Sequence, residues 1–289
     1  MDAMHRPKWA LTLVAAALLL AGLACGFVDD IRSVVETVDE AVKLLQELDN
    51  QSAWEHVSDG LDTLAQQTEG YAATLRLQDS PGDAAGTGFS GALARDVVVT
   101  MQVDAANNAL AQIQANGGAT QNYYVEARGA DARNGAVYRM NGNGQFVCVS
   151  DSEEARLLRD GLSGYFDEYG LEAKGIQMLA VAQEVEEDAA IAGRAATHYR
   201  LESRIQEALD ILRRFDNAEL QQKIDEAGTF TLTGDLYTDE ATGALLKLES
   251  VYHNTDHLQR VVMSFEVTQW GGIAPIAPPS PGSIAQACP

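Results

Sequence analysis

Positive charge is what this 289-residue chain holds least of beside its opposite: 20 lysines and arginines stand against 42 aspartates and glutamates. A net charge of −22 repels nucleic-acid phosphates, which Lys and Arg neutralise in complexes. It equally repels the anionic headgroups of a membrane surface. Histidines are few, and His253 and His257 flank Asn254-Thr255-Asp256, which reads as a turn, so no zinc-binding helix pair results. No Gly-x-Ser-x-Gly elbow occurs; Ser90 in Gly88-Phe89-Ser90-Gly91 lacks its spacing. The acidic runs 151–154 and 184–188 lack the alternating oxygen ligands and glycine of a calcium loop. Asn141-Gly142-Asn143-Gly144 is not a phosphate loop, because no Lys-Ser/Thr follows and no helix opens there. His198, within Thr197-His198-Tyr199-Arg200 on an expected strand, reads as structural. The sequence therefore gives no catalytic residue, no metal and no cofactor, and does not support an enzyme.

What is present begins at the N-terminus. Arg6 and Lys8 precede an apolar run from Trp9 to Ala24 that ends in small residues, the anatomy of a secretory signal peptide. The cysteine that follows, in Ala21-Gly22-Leu23-Ala24-Cys25, resembles a bacterial lipobox, with Gly22 where that motif usually has Leu. The resemblance implies removal of residues 1–24 and acylation of Cys25. An ordinary signal peptide cut nearby and an uncleaved anchor helix are the alternatives. In each case the rest of the chain works outside the cytoplasm, lipid-anchored to a bacterial membrane on the lipobox reading. Loss of residues 1–24 removes Asp2, Arg6 and Lys8, which leaves 41 acidic and 18 basic side chains and a net charge of −23. Such a surface needs an acyl anchor to stay on a membrane.

Two thiols then remain, Cys148 and Cys288. Thiols in an oxidising compartment tend to pair, so a disulfide is one reading. A buried strand residue at 148 and a free tail thiol at 288 is the other.

Hydrophobic periodicity divides the chain. Ile31, Val34, Val35, Val38, Val42, Leu45 and Leu48 recur at helical spacing, and Ser52-Ala53-Trp54-Glu55 reads as a capping box opening a second helix over 53–67. From Tyr71 the period changes to two. Strands are expected at 71–78, 96–103, 109–114, 123–127, 136–140, 145–149, 179–186, 195–201, 229–237, 245–253 and 260–269. A helix over 105–115 competes with the third. Asn-Gly at 141–142 marks a hairpin. Helices are expected near 152–169 and 203–226, the latter with Ile205, Leu209, Leu212, Leu220 and Ile224 along one side. Residues 273–289 hold five of the seven prolines and no charged side chain, and read as a loosely ordered tail. The segments are thus a signal peptide at 1–24, a helical region at 25–69, a sheet domain at 70–272 and a Pro-rich tail at 273–289. Turns this short predict antiparallel pairing, and the apolar face of such a sheet needs covering by the helices.

Several local patterns have a counterpart. Gly193-Arg-Ala-Ala-Thr-His198-Tyr199, Tyr237-Thr-Asp239-Glu-Ala-Thr-Gly243 and the closing Val267-Thr-Gln-Trp-Gly-Gly-Ile-Ala-Pro-Ile276 resemble strands of the LolA-like extracytoplasmic carriers, in particular lipoproteins of the LppX/LprG type. The resemblance implies an α+β fold: a curved antiparallel sheet of about 10–11 strands, a half-open barrel, covered by helices. It implies a lipid or acyl-chain ligand in an apolar cavity between sheet and helices. Candidate lining residues are the alternate strand positions Leu75, Leu77, Val99, Met101, Val125, Val137, Phe146, Leu232, Leu246 and Val262; a one-residue slip would swap the faces. The alternative is an acidic adaptor with a packed core whose partner is a cell-envelope protein. The helical region 27–67 and the helix 203–226 are longer than the family pattern and read as lids.

Overall fold

The computed structural model describes residues 40–44, 46–47, 52–80, 96–127, 135–152, 155, 158, 180–214, 218, 221–222, 225, 229–256 and 259–288. Twelve strands form one open sheet. They are β1 (Tyr71–Ser80), β2 (Asp96–Val103), β3 (Ala109–Ala115), β4 (Gln121–Val125), β5 (Val137–Met140) and β6 (Phe146–Cys148). They continue with β7 (Ala180–Ile191), β8 (Arg194–Ser203), β9 (Phe230–Asp239), β10 (Leu245–Asn254), β11 (Gln259–Trp270) and β12 (Ile284–Gln286). Their order across the sheet is β12-β6-β5-β4-β3-β2-β1-β11-β10-β9-β8-β7. The first and last strands of the main run, β1 and β11, are neighbours at its centre, so two antiparallel meanders grow outward from that pair. The architecture is an α+β half-open barrel.

Composition explains the local choices. The run Val97-Val98-Val99-Thr100 is β-branched throughout and packs well on a pleated surface. Ala109–Ala115 is a strand rather than a helix because its alternate residues are buried and exposed in turn near its start, a pattern only a period of two supports. The β7–β8 hairpin turns through Ala192 and Gly193, both at positive φ (50° and 79°), as a two-residue turn requires. Gly234 has a different reason: a Cβ there would run into the Glu249 carbonyl of β10.

Helix α1 (Ala53–Ala65) starts where the sequence places it. The Ser52 hydroxyl accepts the Glu55 N–H at 3.4 Å, and Ala53, Val57, Gly60, Leu61 and Leu64 form its buried side. Helix α2 (Ile205–Arg213) follows β8 directly and buries Ile205 and Ile211. Residues 218, 221, 222 and 225 are also helical; the rest of the helix expected to run on to 226 lies outside the described residues. So does most of the helix expected at 152–169, of which Ala155 and Leu158 are helical and buried. Residues 40–44 and 46–47 are helical and tie to α2 through Arg204–Glu47 (2.8 Å) and Arg214–Glu40 (2.6 Å). Cys25 and the signal segment lie outside the described residues.

Two features differ from the sequence expectation. The tail is ordered, with a 3-10 turn at Pro281–Ser283 and the strand β12. Asp104 and a crosslink at the end of the chain hold it. The buried Asp104 carboxylate accepts the N–H groups of Ala106 and Asn108 at 2.9 Å, and also that of Ile276 at 2.8 Å, which docks the tail. Second, β12 pairs with β6 in parallel, so the sheet is mixed, not wholly antiparallel. The tail reaches β6 from the centre of the sheet without a hairpin, and its direction is set by that crossing.

Candidate functional site

Cross-strand register identifies the apolar face. Leu236, Leu248, Phe265, Leu75, Val99 and Ile113 lie opposite one another in turn across six neighbouring strands, β9 to β3. Residues directly opposite in a ladder share a face, so this is one continuous stripe. It spans about 24 Å at the usual interstrand spacing. A second row runs through Val267, Ala73, Met101, Ala111 and Tyr123. Helix α1 lies over this face against β10 and β7. Its Gly60 sits so close to β10 that an added Cβ would be 3.0 Å from the Leu245 Cβ. His56 of the same helix packs on Tyr199 of β8 with ring centroids 4.6 Å apart. Burial is the largest influence on His56 and lowers its pKa, against the pull of Asp59 and Glu55.

Eight of the ten candidate lining positions stand on the covered face. Leu75, Val99, Val137 and Leu246 have no accessible surface at all, and Leu77, Met101, Val125 and Leu232 have little. Phe146 and Val262 do not join them. Val262 lies opposite Gln78 and Val251 on the other face. Phe146 lies opposite Met140, one step out of phase with Val147, which faces Arg139 and through it Tyr123. Both are half-buried. The error is the single-residue ambiguity of an alternating pattern, which cannot reveal which phase is inward. Within the stripe Leu236, Leu248, Phe265, Leu75 and Val99 have no accessible surface, and Ile113 is half-buried.

A groove of about 510 Å³ does exist elsewhere, beside the start of α2. Arg200, Glu202, Thr231, Thr233 and Asp235 line it from the face opposite to Leu201 and Leu232, with Gln206 of α2. Leu201 and Leu232 border it as well, so charged, hydroxyl and apolar groups all line it.

The face that carries Arg200 and Asp235 also carries His198. Its Nε2 is 2.8 Å from Asp235 Oδ1 in a hydrogen bond, while Nδ1 is 2.9 Å from Glu187 Oε1 but off the line of one. The ring stacks on Tyr237 at 4.5 Å. Nearby, Arg194 makes two 2.9 Å bonds to the buried Asp239 and lies 5.0 Å over the Trp270 ring. Trp270 in turn donates to Glu69 at 2.9 Å. Thr242 donates to Asp239 through both N–H and hydroxyl. The Arg194 bonds hold the Asp239 pKa below the ordinary carboxylate value, and the same pair raises that of Arg194. These groups join the ends of β8, β9, β10 and β11, and their arrangement is a clasp. Their signal in sequence was the Asp-x-x-Thr-Gly turn, which shows the hairpin but not its arginine partner 45 residues earlier.

Cys148 and Cys288 are joined as a disulfide, Cα atoms 5.0 Å apart, beside the β6–β12 pair. Among the described residues no group of three or more His, Cys, Asp or Glu could hold a metal ion, and no helix is long and apolar enough to cross a membrane.

The fold is of the half-open barrel class that the sequence motifs resemble. Among solved structures the chain is similar to the Mycobacterium tuberculosis lipoprotein LppX, with 9% identity, a TM-score of 0.34 and coverage of 78% of this chain and 98% of that one. A chain of the Pseudomonas aeruginosa MucA/MucB complex is similar at 17% identity and a TM-score of 0.28, over 76% of this chain and 58% of that one. A DUF1329 family protein from Desulfovibrio piger follows at 9% identity and 0.26, over 75% and 95%. At such identities and TM-scores these are likenesses of architecture and say nothing about ligand or partner. No family profile and no curated protein matches the chain.

Proposed function

We propose that this protein is an extracytoplasmic lipoprotein, anchored through acylated Cys25 after loss of residues 1–24, that binds the acyl part of a lipid against the helix-covered face of its sheet. On this reading 25–69 is the helical region, 70–272 the half-barrel and 273–289 its strap. The observation that carries it is the apolar stripe from Leu236 to Ile113, whose span of about 24 Å suits a long acyl chain. Burying ~15 methylenes at ~0.8 kcal/mol each gives roughly 12 kcal/mol before the costs of binding. Because the side chains of the stripe are buried, uptake requires its cover to part. Helix α1 is the natural moving piece. It meets the sheet through small residues, Ala53 and Gly60, as well as Val57, Leu61 and Leu64. No reaction chemistry is involved.

Trp54 on α1 packs half-buried against the core and reports on this directly. A secreted Cys25→Ser form is expected to show saturable quenching of Trp54 emission by a brominated fatty acid, with Trp270→Phe removing the other mature tryptophan. Quenching that only rises linearly with added fatty acid contradicts the reading.

A second reading, an acidic adaptor for a cell-envelope protein, is favoured by one observation: the complete burial of Leu75, Val99, Val137 and Leu246. It predicts the linear outcome.

A further inference from the structure

The two edges of the sheet are treated differently. At one end β6 is capped by β12, and the Cys148–Cys288 disulfide fixes the cap. At the other end β7, 12 residues long, is the last strand. Its start is covered: Val181 is buried and bridges to Ser52. From Gln183 to Ile191 no described residue pairs with its outer side. An uncapped edge offers a row of backbone donors and acceptors to any extended chain. Along this stretch Gln183, Glu184, Glu186, Glu187 and Asp188 are exposed, and the register with β8 shifts between Val185 and Ala189. Of the acids only Glu187 has a described partner, His198.

This charge repels a second copy of the same edge, which would bring its acids against these. It attracts a strand of the opposite sign. We propose that the β7 edge from Gln183 to Ile191 is the docking strand for an extended Lys- or Arg-rich segment of another protein, which joins the sheet beyond β7 through main-chain hydrogen bonds. Alternate basic side chains of that segment would meet Glu184, Glu186 and Asp188. The site is on an edge strand two places beyond the end of the covered stripe, which spans β9 to β3.

The test uses the whole mature chain in its secreted Cys25→Ser form and a fluorescein-labelled ten-residue peptide alternating Thr and Lys. Anisotropy should rise saturably, amide exchange at 183–191 should slow, and Glu184→Lys/Glu186→Lys should weaken binding about tenfold, as expected for exposed charge pairs acting together. A copy with Glu in place of Lys should not bind. A fully N-methylated Thr-Lys copy, which keeps the charge but cannot pair, should not bind either. Equal binding of the N-methylated copy reduces the effect to attraction without docking and overturns the proposal. So does equal binding of the Glu peptide, or sedimentation that shows the free protein dimerising and losing the dimer in Glu184→Lys/Glu186→Lys.

Discussion

Replacing Cys148 and Cys288 by Ser should lower the stability of the mature protein by up to about 5 kcal/mol. The crosslink closes a loop of 140 residues, and the chain-entropy estimate for that length is about 5 kcal/mol. Among the described residues little else holds the end of the chain. β12 contributes two register positions to β6, and the nearest other attachment is Ile276 on Asp104. The loss should therefore have a local signature. Amide exchange in β5, β6 and β12 should rise well before the β1–β11 centre responds. Urea unfolding of the double variant against wild type measures the first effect. A change below about 1 kcal/mol with unaltered exchange at 146–148 contradicts it. So would two reactive thiols per chain in the unfolded, unreduced mature protein.

Arg194→Met should cost about 3 kcal/mol, the low end for breaking a buried ion pair. The Asp239 side chain is 2% exposed but its arginine 29%, so water can partly replace the guanidinium. For a chain of this size the melting temperature should fall by roughly 6–12 °C. Adding Asp239→Asn should restore part of the loss, because the stranded carboxylate is removed while an oxygen remains for Thr242. The pair also has a pH signature. Asp239 has a lowered pKa in the fold, so its stabilisation is fully present above the unfolded carboxylate value near ~3.9. It is lost as pH falls through the folded value. Wild type should lose stability more steeply than Arg194→Met below about pH 4. Parallel acid limbs would contradict the role given to the pair.

Element type was legible wherever the hydrophobic period was long or a turn residue was forced. The β-branched run at 97–100, the Asn141–Gly144 turn and the capping serine of α1 needed no tertiary information. Three things did. The inward phase of β6 and β11 was not legible, because Phe146 and Val147, or Val261 and Val262, offer apolar side chains in both phases. Strand β12 was not legible, because Ile284-Ala285-Gln286 has no strand signal of its own and is placed by a carboxylate at Asp104 and a crosslink. The Arg194–Asp239 clasp was not legible, because its partners are far apart in sequence and meet only through the β8–β9 register. The apolar face itself was legible as composition: eight of the ten candidate positions lie on the covered face.

The central claim is that this face accepts an acyl chain. The most direct measurement is mass spectrometry of lipid extracted from the secreted Cys25→Ser protein purified without detergent from its native cells, so that no covalent acyl group confuses the count. The account predicts close to one non-covalent acyl-chain lipid per protein, lost when the protein is unfolded. An extract with no lipid above that of an unrelated secreted protein would contradict it.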